Sequence, residues 1–400
     1  MTKAILQRDF NLNLTLPPDR LCPPVPVRYN YVHWLRELVE STQSHSAKPE
    51  HQISGLDIGT GASAIYALLI CSTRADWKVY ASDIDSHSLS FAHQNVDNNN
   101  LSSRVVLYHS SQDSPLVPLD DLDTEHLDFV LCNPPFYSSA SEITESHDTK
   151  SHPPSAICTG AENEMICPGG DNGFVARILD ESLKLKSKVQ WYTSMLGKLS
   201  SVHALVSKLK ANGIHNYAVT GLRAGKRTRR WAVGWSFDNA RPKNVVCRGK
   251  DVSGVALPLP TEDALLVDGV SADTIAKRLD EVMVGLRMEW HWIEHLSTGQ
   301  GRANENVWSR AARRKRKRIE MERDQDQDQD QDQDGGRLPS FSIDNPSAEA
   351  ALVVQITVGK GRADVRWLRG HDGVLFQSFC GMLKRALREG SSTRGVVRTD

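Results

Sequence analysis

The sequence predicts a parallel α/β sheet with helices on both faces, closed at one edge by an antiparallel hairpin and followed by a small α+β accessory domain. Three observations predict it. From Ile53 to about Asp238, short apolar runs alternate with stretches of helical period, the pattern of successive strand–helix units. The last two runs of that stretch, "HNYAVTGL" and "RRWAVGWSF", have no helix between them, so they pair antiparallel. A second, shorter group of strands and helices flanks a low-complexity tract near the carboxyl end.

The elements follow in order. "ISGLDI" is a strand and "ASAIYALLIC" a helix. "KVYASDID" is the next strand, and "SLSFAHQNVDNNN" is a helix ending in Asn-rich turn chemistry. "RVVLYH" and "LDFVLC" are further strands. A loop from Tyr137 to Gly173 follows, long enough to be a functional lid. Then come helix "FVARILDESLKLKSK", strand "QWYTSML", helix "SVHALVSKLKAN" and the hairpin. Beyond Asp238 the pattern weakens, with a helical stretch read from Ala272 to Glu294. "ALVVQITVG", "ADVRWLRG" and "GVLFQSFCGMLKRALRE" read as strand, strand and helix.

The domain reading is an arm and helix over 1–52 and a catalytic domain over 53–240. An accessory domain is split between 250–320 and 340–395. The Asp-Gln linker at 321–339 is too polar to bury a core.

With 48 basic and 49 acidic residues, the 400-residue chain is not basic overall, so a nucleic-acid surface has to come from local clustering. Six of the acids belong to the Asp-Gln repeat. The seven cysteines have neither zinc-finger nor redox-pair spacing, which implies neither a metal nor a disulfide and reads as reduced thiols. The first residues, "MTKAILQRDFNLNL", lack a signal-peptide core, and no apolar run is long enough to cross a bilayer.

"GLDIGTGASA" joins the first strand to its helix. Gly59, Gly61 and Ala64 fit a tight turn that lets backbone approach a ligand, with a helix N-terminus behind it. Asp83 closes the next strand, where a carboxylate can accept ribose hydroxyls. An ordinary tight turn is the bland alternative. These features suit a nucleoside cofactor without choosing between a dinucleotide and S-adenosylmethionine (SAM).

"DFVLCNPPFYSS" makes that choice. The exocyclic amine of adenine is a weak nucleophile, because its lone pair is delocalised into the ring. Asn133 offers a side-chain oxygen and Pro134 a carbonyl as acceptors for its two N–H groups. Pro134 and Pro135 lack N–H donors that would oppose the amine, and they stiffen the backbone. Phe136 can stack on a flipped base, worth about 1–3 kcal/mol. The remaining task is proximity of the amine to a methyl sulfonium. A Pro-Pro turn capping a strand is the competing reading, weakened by the motif's place after the fourth strand of an open α/β sheet.

Beyond this motif, "RDFNLNLTLPPDRLCPPVPVRYNYVHWL", "GLDIGTGASAIYALL", "WYTSMLGKLSS" and "TRRWAVGWSF" together resemble the methyltransferase-like protein 16 family of eukaryotic RNA adenine-N6 methyltransferases. The resemblance is dense from about Gln7 to Asp238 and thin through "NVWSRAARRKRKR" and the last strand–strand–helix, which resembles that family's C-terminal RNA-binding region and implies that the accessory domain binds RNA. It implies a Rossmann-like SAM-dependent methyltransferase fold, SAM as cofactor, no metal, and a structured RNA as partner, typically U6 spliceosomal RNA. It also implies a nuclear location, with the cytoplasm left open. By position, it implies that Gly59, Gly61, Asp83 and Asn133 line the cofactor. Asn133, Pro134, Pro135 and Phe136 form the catalytic set, and Arg28 of "VPVRYNY" stands near the methionine carboxylate. A surface helix residue is the alternative for Arg28. Family members carry a longer basic arm ahead of "RDF", so part of that RNA grip is expected to be missing here or truncated. The lid is also poorer in arginine, with Lys150 and His152.

Lys198 and the run "GKRTRRW", with Lys226, Arg227, Arg229 and Arg230, are the expected phosphate contacts. The seven basic residues between Arg310 and Arg318 fit either RNA grip or nuclear import. Ribosomal RNA remains a competing substrate. A protein glutamine methyltransferase is the second function class, since a primary amide suits the same acceptors. A nicotinamide dehydrogenase is the third, without an evident hydride-transfer acid at the strand ends. An RNA-binding protein with a dead site is the fourth.

Overall fold

The computed structural model describes residues 1–43, 51–143, 161–225, 228–252, 254–286, 288–312, 314, 318 and 350–389. The chain divides into two compact units, Met1–Asp238 with Asn244–Pro258, and Asn239–Lys243 with Leu259–Asp400.

The first unit is built on a seven-stranded sheet in the order β3-β2-β1-β4-β5-β7-β6. The strands are β1 (Ser54–Ile58), β2 (Lys78–Asp83), β3 (Val105–His109), β4 (Leu127–Cys132), β5 (Val189–Leu196), β6 (Tyr217–Ala224) and β7 (Thr228–Trp235). Strands β1 to β5 pair in parallel, whereas β7 runs antiparallel to both β5 and β6. This is the expected edge hairpin. The chain leaves β1 toward β2 and returns to β4 on the other side, so the sheet order reverses between β1 and β4. A ligand crevice opens at such a switch point, beyond the carboxyl ends of the strands.

Helices cover both faces. α1 (Thr2–Phe10), α2 (Val25–Thr42), α3 (Ile65–Thr73) and α4 (Ser86–Asn98) supply one apolar cluster. α5 (Gly170–Leu185) and α6 (Leu199–Ala211) supply the other. The central strand β4 is buried along its whole length, as a strand covered on both faces must be.

The amino-terminal segment, set apart in sequence, folds into this unit. Leu6, Tyr31, Leu35 and Leu38 are among its most buried side chains. Asn95 on α4 is fully buried and clamps the extended stretch before α2. Its Oδ1 accepts from the Thr15 amide, and its Nδ2 donates to the carbonyls of Thr15 and Ala62. One side chain therefore ties the amino-terminal strap to the glycine turn.

The second unit carries an antiparallel five-stranded sheet in the order β8-β12-β11-β10-β9. Its strands are β8 (Glu262–Leu266), β9 (Glu289–Ile293), β10 (Thr298–Ala303), β11 (Leu352–Gly359) and β12 (Arg362–Arg369). α7 (Ala272–Val284) and α8 (Gly373–Glu389) pack on its core. The helix read to Glu294 stops at Val284, and "EWHWI" forms β9 instead. The residues of the Asp-Gln tract lie outside the described residues.

Candidate active site

The crevice at the β1–β4 switch point holds a cavity of ≈ 230 Å³. Two sequence motifs that stand some seventy residues apart form its walls. One wall is the glycine turn, and the other is Cys132 through Pro135.

The turn is built by left-handed backbone. Gly59 has φ 72° and Gly61 φ 64°, and a Cβ on Gly59 would meet nothing within 4 Å. The glycines are therefore required by conformation, and they leave open space in front of the turn. Gly59 and Thr60 both donate to the Ser82 carbonyl at 2.9 Å, fastening the turn to β2. Asp83 at the end of β2 accepts from the Gly61 amide at 2.8 Å and the Asp85 amide at 2.9 Å. A carboxylate has about four acceptor directions, so two remain for hydroxyl donors. Burial raises the Asp83 pKa above the usual carboxylate value, while those amide bonds work in the opposite sense.

Two further carboxyls stand here that sequence reasoning missed. Asp57 on β1 is fully buried, with Oδ2 accepting from Thr60 Oγ1 at 2.7 Å and Oδ1 without a partner. Burial pushes its pKa to about 7, with Asp83 adding to the rise and Arg28 opposing it. Its signal was a carboxylate inside an apolar strand, two residues ahead of Gly59. Glu164, in a one-turn helix at Glu162–Met165, lines the cavity across from Gly61. It accepts from the amides of Ala161 and Leu21, tying the end of the long loop to the amino-terminal strap. It lay inside the stretch read only as a lid.

The Asn-Pro-Pro-Phe motif sits where the sequence places it. Asn133 follows β4 directly, Pro134 is buried, and Phe136 packs against the core. Arg28 on α2 reaches the same point, its Nη1 donating to Asn133 Oδ1 at 2.9 Å and to Met195 Sδ at 3.3 Å. Phe136 lies against Gly197, where a Cβ would stand 3.0 Å from its ring. The Gly197 amide donates to the buried Asp171 at 2.8 Å, and Ser201 Oγ donates to the other oxygen at 2.9 Å. The end of β5, the start of α5 and the start of α6 therefore brace the ring jointly.

The cavity's residues fit a SAM-type cofactor. The glycine turn leaves room for a nucleoside, and Asp83 has acceptors to spare for ribose hydroxyls. Arg28 is a donor for a carboxylate, and Asp57, fully buried and outside the cavity lining, keeps an unpartnered Oδ1 that an α-ammonium reaching it would satisfy.

The expected RNA contacts divide. Arg230 lies 4.8 Å from the Phe136 ring centroid, and Arg229 beside it on β7 is exposed. Lys198 stands at the head of α6, paired with Glu142 at 2.6 Å. That pairing holds Glu142 down to about 2. Arg227 lies outside the described residues, as do Lys226 and much of the 310–318 run. Among the described residues no His, Cys, Asp and Glu cluster could hold a metal, and no helix is long and apolar enough to cross a membrane.

The sequence profile of a family described as an RNA methyltransferase matches residues 1–239. The chain belongs to that RNA methyltransferase family. SAM is the cofactor of this methyltransferase, and RNA is its substrate. A Schizosaccharomyces pombe protein named U6 small nuclear RNA (adenine-(43)-N(6))-methyltransferase is 35% identical over 393 residues, covering 97% of this chain and 92% of the relative. Human RNA N(6)-adenosine-methyltransferase METTL16 is 37% identical over 240 residues, 59% of this chain and 42% of the relative. The match therefore spans less than half the length of that human relative. A crystal structure of the human METTL16 catalytic domain in complex with MAT2A 3′UTR hairpin 1 superposes with a TM-score of 0.53 at 36% identity, covering 59% of this chain and 78% of that one.

Proposed function

We propose that this methyltransferase acts on the N6 amine of an unpaired adenine in a structured RNA, U6 small nuclear RNA, and that it meets this RNA in the nucleus. One observation carries the reading. Asn133, Pro134 and Pro135 line the same cavity at the sheet's switch point as the glycine turn and Asp83. The name of the fission-yeast relative, which this chain matches over nearly its full length, supports U6 as the RNA and the adenine corresponding to its adenine 43 as the target.

When bound, SAM would supply an electrophilic methyl whose bond to the sulfonium sulfur breaks as the N6–methyl bond forms, leaving the neutral thioether S-adenosylhomocysteine. Gly59, Gly61 and Asp83 would hold its nucleoside, and Arg28, with the buried Asp57 behind the cavity lining, would hold its amino-acid end. Asn133 Oδ1 and the Pro134 carbonyl receive the two amine hydrogens, so that the amine's lone pair is held toward the cofactor. Phe136 takes the base face. The amine becomes acidic once alkylated, so water can take its proton and no strong base is required.

Replacing Asn133 with Ala removes one preorganised acceptor and leaves the glycine turn intact. Turnover is expected to fall by at least about 100-fold, the scale for one such group, with SAM binding little changed. Labelled-methyl incorporation into U6 RNA followed by nucleoside identification reads this directly. N6-methyladenosine from the wild type supports the reading, and near-normal turnover in the variant sinks the mechanism. Methyl incorporation into protein glutamine instead would reassign the substrate.

A further inference from the structure

Arg28 stands at the junction of the two halves of the site. It lines the cavity together with Gly59, Gly61 and Tyr66, and its guanidinium carbon lies 5.5 Å from the Tyr66 ring centroid. The same guanidinium touches Asn133 Oδ1 at 2.9 Å and Met195 Sδ at 3.3 Å. Among the described residues both hydrogen-bond partners are neutral.

Three physical consequences follow. A guanidinium is a donor only, so Asn133 has to turn its oxygen rather than its NH₂ toward Arg28. That fixes the flip of the amide. An amide oxygen has two acceptor directions, so one remains for an exocyclic amine. Arg28 in turn keeps further donors after Nη1 is used, and bonds from a guanidinium to a carboxylate are about twice as strong as neutral ones.

The charge matters as well as the geometry. A cation on Oδ1 draws electron density from the acceptor and lies close to an amine that turns positive during methylation. A carboxylate on the same guanidinium offsets both effects. Asp57 is the nearby buried carboxyl, and burial pushes its pKa to about 7, so at neutral pH it balances Arg28 only in part.

We propose that Arg28 is a positioning residue that couples the carboxylate of the cofactor's amino-acid end to the Asn133 amide, so that Asn133 receives the adenine amine well only when that carboxylate is bound. The inference rests on the methyl-transfer reading of the site. It assigns to the cofactor's amino-acid end a part in holding the RNA's amine.

The test measures what the 6-amino group contributes to RNA affinity. Full-length protein is titrated with U6 RNA carrying either adenosine or purine riboside, which lacks the amine, at the target position. The ratio of the two dissociation constants is the readout. With S-adenosylhomocysteine bound, a ratio of about 100 is expected, the scale of two hydrogen bonds, one to Asn133 and one to the Pro134 carbonyl. With 5′-methylthioadenosine, which keeps the nucleoside thioether but lacks the amino acid, a ratio of about 10 is expected, because the Asn133 bond is lost while the Pro134 bond remains. Arg28→Lys should keep the ratio near that lower value with both ligands. A residue that only filled space would instead weaken both RNAs together and leave the ratio intact.

Equal high ratios with the two ligands in the wild type would overturn the coupling and leave the methyl-transfer reading standing. A ratio of about 10 or less with both ligands in the wild type would overturn the placement of the amine on Asn133, and the coupling with it. Failure of S-adenosylhomocysteine to bind would overturn the reading of the cavity itself. The wild-type comparison needs no substitution, so it holds even where Arg28→Lys does not fold.

Discussion

The guanidinium of Arg230 lies over the ring of Phe136, with Cζ 4.8 Å from the ring centroid. Arg230 comes from the edge hairpin, on β7, and Phe136 from the end of the catalytic motif. Burial and the charge of Arg28 lower the Arg230 pKa below the usual arginine value. A contact of this type is worth about 0.5–2 kcal/mol, depending on desolvation. The ring that would stack on the base is thus joined to a cation expected on the RNA backbone. Arg230→Ala is predicted to weaken RNA binding by about tenfold or more, the scale of one hydrogen bond to a charged phosphate converted to affinity. The slope of log affinity against log salt should fall by about 1, the signature of one phosphate contact. S-adenosylhomocysteine affinity should not move. Titrations at several salt concentrations check it, and an unaltered slope would remove Arg230 from the backbone contacts.

Gly197 is the residue against which Phe136 rests. An alanine Cβ there would stand 3.0 Å from Phe136 Cδ1 and 3.4 Å from Asp171 Oδ2. The ring has to give, because Asp171 is buried and engaged by the Gly197 amide and Ser201. Gly197→Ala is predicted to lower kcat by about 10-fold or more, the cost of displacing a base-positioning group. Cofactor affinity should remain within about twofold, because Gly197 does not line the cavity. Steady-state kinetics together with calorimetry of S-adenosylhomocysteine binding separate the two. A wild-type kcat would show that the ring's position does not limit the reaction.

Much of this site is legible in the sequence, because its determinants are local. A glycine turn needs left-handed backbone at two positions, and Asn-Pro-Pro-Phe must end a strand wherever it occurs. The edge hairpin is legible because its two runs lack a helix between them. The amino-terminal strap is not, since Leu6 and Tyr31 become core only through long-range packing and Asn95 reaches Thr15 across 80 residues. β9 and β10 mislead for a different reason. "EWHWI" follows α7 after only four residues, the first of them the capping Gly285 that the sequence reading takes as helix interior, and "TGQGRA" has no apolar pattern at all. Its glycines make room for a neighbour, since a Cβ on Gly299 would lie 2.1 Å from the Trp290 ring. That ring lies on the adjoining strand β9, so the glycine reads as a packing residue only once the two strands are paired. Asp57 and Glu164 were missed because a single carboxylate says nothing until its burial is known.

Asp57 makes the site sensitive to pH. Its folded pKa of about 7 lies above the ordinary value of 3.8 for an open carboxyl. Between those values the folded chain holds a proton that the unfolded chain has lost, so this group makes the fold less stable as pH rises through that window. A cationic α-ammonium beside Oδ1 would favour the ionised form. Cofactor binding should therefore release a proton below neutrality, and affinity should rise with pH by up to about tenfold per unit until Asp57 is ionised. Calorimetry of S-adenosylhomocysteine at about pH 6, below the ordinary α-amino pKa, in two buffers of different ionisation heat, measures the proton directly. Asp57→Asn should abolish both the release and the pH dependence. Equal heats in the two buffers for the wild type would remove Asp57 from the cofactor's contacts.

The basic run from Arg310 to Arg318 follows β10 and precedes β11, two neighbouring strands of the second unit's sheet. Cutting the chain there would take β11 and β12 from that sheet, so substitution is the cleaner test. Replacing the seven basic residues with Gln keeps the chain length and both units. If the run grips RNA, every phosphate that it no longer neutralises flattens the salt slope by about 0.7–0.9. Affinity at low salt then falls, while kcat on saturating RNA stays near the wild-type value because Asn133 to Phe136 are untouched. If the run serves only nuclear import, affinity and slope stay as they were and a fluorescent fusion loses its nuclear accumulation. The RNA-grip outcome is the expected one, and measuring dissociation constants at two salt concentrations for both proteins decides it. Equal slopes would assign the run to import.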